Sequence, residues 1–393
     1  MKKTVLSLFC FLFVFVFSFS ILLPLQEIVQ FEDGFVAGYD DVETANKSNK
    51  FGVFFRTQME EKEKIVGGQK TKMNEVVFKL FGLIPIKRVS VILADDETYY
   101  VGGVPIGLSI NTDGAVVVSD EAGTVLKEGD IITQINGQEV ESLDNIEELL
   151  QICPEEAEVK FLRKNKEIKT LIKTYRDEQS GRLKLGLWVK DDVSGVGTLT
   201  FVNKKTGEYR ALGHPIVEGN SGNLVPVADG KIYECNLIGI NKGKRNDPGE
   251  LRCVFASSHK SKGNIESNTK FGINGVLSDV TDLVDENLTA KLGGRLGVKM
   301  GQAKIVSSVS GIREEYDIEI IKANNQKSAN DKSIVFRVKD KRLLDMTGGI
   351  VQGMSGSPIM QDGKIIGAVT HVFLSDPTKG YGVYSDWMRG NEQ

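Results

Sequence analysis

Short runs of valine, isoleucine and leucine recur from residue 180 to the end of the chain, separated by glycine, asparagine and aspartate. Runs of this length are typical of β-strands, and the separating residues are typical of turns. Many short strands at such spacing predict a barrel or a sandwich. The sequence therefore predicts a mainly β molecule, with residues 179–393 forming two small barrels and a cleft between them.

Length and composition limit the other possibilities. A chain of 393 residues exceeds what one hydrophobic core usually organises, so two or three domains are expected. Hydrophobic residues make up 40% and charged residues 26%, as in ordinary globular proteins. The formal net charge of -4 gives no signal for nucleic-acid binding.

The N-terminus is strongly apolar. Residues 4–25 carry no charge and follow Lys2 and Lys3. An apolar run of this length can cross a bilayer, and the lysines favour the cytoplasmic side. Ser18 and Ser20 offer a small-residue cleavage site, which would make the segment a signal peptide. Because the apolar run continues through Leu25, we predict an uncleaved membrane anchor over residues 1–25, with the rest of the chain outside the cytoplasm.

Residues 26–97 form the next predicted region, a linker followed by a small β-rich part. The polar stretch from Asp40 to Lys50 has the composition of a solvated linker or loop. Between residues 76 and 94, apolar residues cluster around Pro85, which predicts two short strands.

Residues 98–178 have the pattern of a small α+β domain. The run Glu-Gly-Asp-Ile-Ile-Thr-Gln-Ile-Asn-Gly over residues 128–137 predicts a strand that ends in a tight Asn-Gly turn. Ser142 can cap a following helix, whose apolar face would contain Leu149 and Leu150. This order resembles a PDZ domain of the type found in bacterial proteases.

The resemblance to a PDZ domain implies a peptide groove beside an exposed strand edge. An extended peptide adds to such an edge, and its terminal carboxylate meets backbone amides of a glycine-containing loop. The residues predicted to form this loop and edge are Ile106, Gly107, Leu108, Ser109 and Ile110. The alternative is a domain whose groove is empty and which only packs against its neighbour.

Imidazole chemistry can come from only three residues, His214, His259 and His371. Gly213 and Pro215 flank His214, so its ring is expected to be held at a fixed bend. His371 follows an apolar strand, and His259 lies in a loop rich in serine and lysine.

A glycine-rich segment contains the candidate nucleophile. In Gly353-Met354-Ser355-Gly356-Ser357-Pro358, glycines allow a sharp turn around Ser355. The amides of Gly353 and Ser355 can then point at a developing oxyanion and form an oxyanion hole. Ser357 is the competing nucleophile, and a Gly/Ser hairpin without chemistry is the other interpretation.

These two segments carry a family resemblance. Ala211-Leu212-Gly213-His214-Pro215-Ile216, the serine segment from Gly348 to Pro358, and the tail Ile366-Gly367-Ala368-Val369-Thr370-His371-Val372-Phe373 resemble the stage IV sporulation protein B peptidase family. That family is similar to chymotrypsin-type serine proteases, which use His, Asp and Ser in that chain order. The resemblance implies His214 as general base and Ser355 as nucleophile.

A triad also needs a carboxylate to orient the histidine. Asp340 and Asp345 both precede Ser355 closely. Asp340 ends a strand of alternating character, and its distance from Ser355 suits the family pattern better, so we predict Asp340 as the third member. Asp345 is the alternative.

The resemblance also implies a biological role. It predicts an endopeptidase of endospore formation, located in the space between forespore and mother cell, that cleaves a membrane-associated regulator and so triggers pro-sigma-K processing. Self-cleavage is expected between Thr44 and Lys64, with this N-terminal region or a peptide C-terminus as a ligand of the PDZ groove. The alternatives are a non-catalytic PDZ adaptor of the envelope and a general envelope quality-control protease, although the latter places its PDZ domain after the protease domain.

The cysteines predict neither a metal site nor a disulfide framework. Cys153, Cys235 and Cys253 lie outside the anchor, and none has a CxxC partner or a histidine at ligand spacing. Buried free thiols are expected, a Cys235–Cys253 bridge is the alternative, and no metal or cofactor is predicted.

Overall fold

A computed structural model describes residues 2–389 of the chain, apart from residues 30, 32, 67–68, 94–96, 144, 153–154, 165, 179, 219–221, 256–259 and 324–328. His259 and Cys153 therefore lie outside the described residues. The described part is mainly β, as the turn-rich sequence predicts.

The N-terminal helix α1 spans Lys2–Val29. Its side chains are described at Phe11 and over residues 14–29. Within the described part of the chain, no helix is both long and apolar enough to cross a membrane.

A four-stranded sheet follows α1. Its elements are β1 (Phe35–Ala37), helix α2 (Tyr39–Lys47), β2 (Phe55–Val66), β3 (Gln69–Leu80) and β4 (Ile84–Leu93). The strand order is β1-β4-β3-β2, with β1 parallel to β4 and the other pairs antiparallel. The linker predicted from Asp40 to Lys50 is wrong for its first part, because α2 buries Val42 and Ala45 against this sheet.

The next described strands outside residues 121–186 number thirteen, and six of them close a ring. The thirteen strands are β5 (Tyr99–Val101), β6 (Pro105–Asp120), β13 (Leu187–Asn203), β14 (Glu208–Leu212), β15 (Val217–Glu218), β16 (Asn223–Leu224), β17 (Asp229–Glu234), β18 (Asn236–Asn241), β19 (Glu250–Val254), β20 (Gly263–Asn264), β21 (Ser267–Thr269), β22 (Gly272–Val276) and β23 (Thr289–Leu292). Pairing runs β6-β13-β14-β22-β20-β17 and returns to β6, with a bridge from Gly263 to Leu277 closing the β22–β20 side. We call these six strands the first ring; Ile106, Ile110 and Leu199 are in its core.

A separate small unit is inserted between β6 and β13. It contains β7 (Ile131–Ile135), β8 (Gln138–Glu139), α3 (Ile146–Gln151), β9 (Glu156–Arg163), β10 (Lys166–Lys173), β11 (Tyr175–Arg176) and β12 (Leu183–Lys184). We call residues 114–191 the inserted unit, since the second half of β6 and the start of β13 complete its core. The predicted Asn-Gly turn is confirmed: Asn136 and Gly137 both have positive φ and join β7 to β8.

A second ring of six strands ends the chain. Its elements are β24 (Gly301–Ser307), β25 (Glu314–Ala323), β26 (Ile334–Val338), helix α4 (Lys341–Thr347), β27 (Pro358–Gln361), β28 (Lys364–Val372), β29 (Lys379–Tyr384) and helix α5 (Ser385–Arg389). Pairing runs β24-β25-β26-β29-β28-β27 and returns to β24. Tyr316, Phe336 and Tyr384 fill this second ring. β5 and β23 connect the two rings, because they pair with each other, β5 pairs with β13 and β23 pairs with β28.

Candidate active site

A cleft of about 760 Å³ lies where the two rings meet. His214 follows β14 of the first ring, and Ser355 precedes β27 of the second ring; both line the cleft. The apolar part of the lining includes Ile350, Val351 and Tyr381. The structure thus brings together the two residues that the sequence predicts as base and nucleophile, which are 141 positions apart in the chain (355 minus 214).

The loop that carries Ser355 needs glycine at Gly356. Its φ of 99° lies in the region that favours glycine. A Cβ atom at this position would lie 2.6 Å from Leu212 N and would collide with the carbonyl oxygen of Thr198. The loop and the first ring therefore approach as closely as a backbone without a side chain permits.

Thr198 of β13 holds this loop by two hydrogen bonds. Its amide donates to Ser355 O at 2.9 Å, and its hydroxyl donates to Gly353 O at 2.6 Å. Because two carbonyls of the loop are engaged by one residue, the peptide planes around Gly353 and Ser355 are fixed relative to the first ring.

The amides of Gly353 and Ser355 do not donate to any acceptor within the described part of the chain. Gly353 has a φ of 91°, which turns the backbone sharply just before Ser355. Two unengaged amides beside a serine hydroxyl can stabilise an oxyanion if a carbonyl reaches them. Their role as an oxyanion hole stays a prediction.

The two candidate serines differ in accessibility. Ser355 lines the cleft, and its hydroxyl donates to Thr370 O at 2.8 Å. Ser357 is fully buried and does not line the cleft. A substrate can therefore reach Ser355, and Ser357 is the weaker candidate on geometric grounds.

The surroundings of His214 favour its neutral imidazole. Its Nδ1 lies 3.0 Å from Pro215 O, so Nδ1 carries the proton that it donates to this carbonyl, and Nε2 keeps its lone pair. Burial lowers the pKa of His214 below its ordinary value of 6.5, and this effect is larger than the opposing effects of Pro215 O and Asp331. The imidazole can therefore accept a proton at neutral pH.

The structure adds two groups to the cleft that sequence reasoning did not select. The His371 ring lies 5.1 Å from the His214 ring, measured between centroids, and His371 Nδ1 lies 3.8 Å from Asp331 Oδ2. Burial, and then the proximity of His214, lower the pKa of His371 to about 4. Asp331 is positioned in part by Thr370, whose hydroxyl donates to Asp331 O at 2.7 Å.

A sequence signal exists for His371 but not for Asp331. His371 stands near the end of strand β28, which pairs with β27, the strand that directly follows the serine loop. Asp331 precedes β26 in a polar stretch rich in asparagine and lysine, and no spacing from His214 or Ser355 singles it out.

The predicted third triad member needs correction, since Asp340 does not line the cleft. Asp340 caps helix α4: its Oδ1 accepts the Arg342 amide at 2.9 Å, and its Oδ2 accepts Arg342 Nη2 at 2.9 Å. The hydrogen bond from the Arg342 side chain holds the pKa of Asp340 below its usual range. The alternative, Asp345, is exposed on α4 and does not line the cleft either. Among the described residues that line the cleft, the carboxylate is that of Asp331.

The predicted peptide-binding edge at Ile106–Ile110 also needs correction. Strand β6 pairs on one side with β13, where Ile110 faces Val193, and on the other side with β17, where Ile106 faces Glu234. Gly107, Leu108 and Ser109 lie within the same doubly paired segment, and Ile106 and Ile110 are fully buried in the first ring. An added peptide cannot pair with a strand whose two edges are already occupied. The first part of the predicted 98–178 domain thus belongs to the first ring.

Cys235 and Cys253 are free thiols that lie in hydrogen-bond contact at the base of the β18–β19 hairpin. This contact and burial raise the pKa of Cys235. Cys253 borders a small pocket that also contains Gly353, next to the serine loop.

Comparisons with known proteins identify two families in the chain. The model of the SpoIVB peptidase S55 family matches residues 181–389, and a PDZ domain model matches residues 118–162 within the inserted unit. Among solved structures, the PDZ domain of the SdrC-like protein from Listeria monocytogenes is 22% identical over 20% of this chain and 90% of its own, with a TM-score of 0.19. No curated protein matches the chain.

The resemblance predicted from the sequence is confirmed by these family matches. The peptidase match alone spans more than half of the chain and includes His214, Asp331 and Ser355. The chain is a serine peptidase with a PDZ domain, and it belongs to the SpoIVB peptidase S55 family.

Proposed function

We propose that the chain is an endopeptidase in which Ser355 is the nucleophile and His214 the general base. One observation carries the proposal: a single cleft contains the Ser355 hydroxyl, the neutral imidazole of His214, and a loop with two unengaged amides within the described residues. We further propose that the two closed rings are a chymotrypsin-like pair of barrels, with the site between them.

In this mechanism the Ser355 hydroxyl turns from Thr370 O towards Nε2 of His214, which takes its proton as Oγ attacks the substrate carbonyl. The amides of Gly353 and Ser355 stabilise the resulting oxyanion. The imidazolium then gives the proton to the leaving amine, the C–N bond breaks, and an acyl-enzyme remains. Water, deprotonated by His214, hydrolyses this ester and restores the serine.

We assign the role of the triad carboxylate to Asp331 in place of Asp340. A carboxylate near the imidazoles stabilises the cation that forms during catalysis. Asp331 lines the cleft and acts to raise the pKa values of both His214 and His371, which reflects its attraction for their protonated forms. Asp340 has no such effect on either histidine.

We propose that this peptidase acts in endospore formation, in the space between forespore and mother cell. There it would cleave a membrane-associated regulator and trigger pro-sigma-K processing. Membership of the SpoIVB family supports this role. The apolar N-terminal helix supports membrane attachment, because Phe11, Phe15 and Leu22 expose more than half of their surface.

Self-cleavage belongs to the same proposal. Within the stretch Thr44–Lys64, residues 48–54 connect α2 to β2 and lie outside any helix or strand. Val53 is exposed there. Fewer backbone hydrogen bonds must break to free a bond in this connection than in a helix or a paired strand, so the exposed part around Val53 is the expected position of the cleaved bond.

The main alternatives are less well supported. A non-catalytic PDZ adaptor has no need for a serine in a cleft beside a neutral histidine. A general envelope quality-control protease normally has its PDZ domain after the protease domain, whereas here most of the peptidase follows the PDZ match.

Incubating the full chain in detergent micelles tests the proposal. Wild type should release a fragment cut between Thr44 and Lys64, which mass spectrometry would identify. Ser355→Ala and His214→Ala should abolish this release, while Ser357→Ala should reduce it less. Cleavage that persists in Ser355→Ala and is lost in Ser357→Ala would show that Ser357, and not Ser355, is the nucleophile.

A further inference from the structure

Strand β13 has one edge that is not paired over most of its length. From Leu187 to Thr198 its partner is β6, and pairing with β14 begins only at Leu199. In the part of the chain that the structure describes, no strand pairs with the other edge between Leu187 and Thr198. The residues from 187 to 196 are exposed or half-buried, and a Cβ atom added to Gly195 would meet open space.

The hydrogen bonds at the end of this edge show which amides face outward. Leu199 N donates to Val104 O, on the β6 side, whereas Thr198 N donates to Ser355 O, on the opposite side. Successive amides of a strand point to opposite edges, and the register from Asp192 to Thr198 has no bulge. The amides of Ser194 and Val196 therefore face the unpaired edge.

The same edge runs into the catalytic cleft. Residues 193–196 line the cleft, and the next outward-facing amide, that of Thr198, binds the carbonyl of the proposed nucleophile. A polypeptide that paired with Ser194 and Val196 would thus arrive beside Ser355.

At its other end the edge belongs to the inserted unit. Leu187 and Val189 pack against the core that contains Leu149 and Leu150 of α3, and Leu143 N donates to Asp191 Oδ2 at 3.2 Å. One continuous strand therefore borders both the PDZ domain and the catalytic cleft.

We propose that an extended segment of the polypeptide substrate binds as an additional β-strand on this edge, from Leu187 beside the inserted unit to Val196 beside Ser355. The proposal rests on the peptidase function proposed above and names how its substrate is held. The ligand class is an unfolded or flexible polypeptide, because main-chain hydrogen bonds need an unpaired backbone. The register of β13 against β6 shifts at Trp188/Val189 and at Lys190/Asp192, so the regular part of this edge is residues 192–196. Five residues at roughly 3.3 Å each give a regular contact of about 16 Å, and a longer segment adds contacts towards Leu187.

Proline at position 194 tests the proposal, since it removes the outward amide and leaves the β6 hydrogen bonds in place. The comparison is between Ser194→Pro and Ser194→Ala, which both lack the hydroxyl and differ in the backbone donor. Both are made in the full chain carrying Ser355→Ala, and binding of fluorescein-labelled casein, an unfolded protein, is measured by fluorescence anisotropy. We expect Ser194→Pro to bind casein about 3- to 10-fold more weakly than Ser194→Ala. Equal affinities of the two variants would overturn the proposal.

A second measurement applies if the melting temperature shows that Ser194→Pro unfolds. Hydrogen exchange of β13 in the Ser355→Ala chain should slow at Ser194 and Val196 when casein is added, and unchanged exchange at both amides would exclude the added strand. Binding is measured in a chain that lacks the proposed nucleophile, so this result does not depend on catalysis. If casein binds at this edge but the wild-type chain never cuts it, the proposed peptidase function is contradicted and the binding proposal is not.

Discussion

At the scale of single residues, the site depends on which polar groups share the cleft. Ser355 and His214 lie there, and so do His371 and Asp331. Because the two imidazoles lie side by side, a positive charge on one ring disfavours a positive charge on the other, whereas Asp331 favours the protonated form of each. The geometry therefore supports one protonated histidine at a time, as a general base requires.

The assignment of Asp331 as the triad carboxylate is tested by a matched pair of substitutions. Asp331→Asn should lower kcat/KM by at least about a hundredfold, since the imidazolium loses its stabilising charge. Asp340→Asn should have little effect, because asparagine also caps a helix and Asp340 lies outside the cleft. Casein cleavage and the melting temperature of both variants are the measurements. Loss of activity in Asp340→Asn with a normal melting temperature would restore the triad predicted from sequence.

The pH dependence follows from the lowered pKa of His214. A histidine base is inactive once protonated, and burial shifts this protonation below pH 6.5. The acidic limb of kcat/KM should therefore have its midpoint below pH 6.5, with activity rising as pH increases through the folded pKa. Casein hydrolysis between pH 4 and 8 checks this, and a midpoint above 6.5 would argue against a desolvated base.

At the scale of elements, β13 connects three parts of the molecule. Its first residues border the inserted unit, its middle lines the cleft, and Thr198 holds the serine loop. The close approach of this loop to the first ring is possible because Gly356 has no side chain.

The glycine requirement predicts a contrast between two substitutions. Gly356→Ala and Gly363→Ala both place alanine at positive φ, but only the first collides with other backbone atoms. Gly363→Ala should cost about 1 kcal/mol in stability and retain activity. Gly356→Ala should abolish casein cleavage, because the serine loop must move. Similar activities of the two variants would show that the loop tolerates displacement.

At the scale of the whole molecule, the N-terminal sheet is joined to the peptidase part by buried polar contacts. Lys50 Nζ donates to Arg295 O at 2.6 Å and to Val298 O at 2.7 Å. Asp41 accepts the amide of Gly294 and lies 3.4 Å from Lys364 Nζ. Burial lowers the pKa of Lys50 to about 7, so the ammonium is held there by its partners against a desolvation cost.

Loss of these contacts should loosen the N-terminal sheet. Lys50→Met leaves two carbonyls without their donor, at a cost of about 2 kcal/mol, so amides of β3 and β4 should exchange roughly 30-fold faster. Lys47→Met is the control, since Lys47 pairs with Glu43 on the exposed face of α2 and should change exchange little. Hydrogen exchange with mass spectrometry measures both, and equal rates would remove Lys50 from the docking contacts.

Much of this protein is determined by local sequence. The turn at Asn136 and Gly137 follows from local sterics, as do the glycine turns around Ser355. The family motifs around His214 and Ser355 also identify the peptidase class without coordinates.

Tertiary structure alone decided which strand edges remain open and which carboxylate reaches the cleft. Ile106–Ile110 has the sequence of a peptide-binding edge, yet pairing with β17, more than a hundred residues later, closes it. Asp340 has suitable spacing, but the start of α4 uses its carboxylate as a cap, and Asp331 lines the cleft instead. Residues this far apart in the sequence meet only when a whole ring closes. The backbone groups along a strand edge can form hydrogen bonds with any strand that folding brings beside them, so local sequence does not determine the pairing.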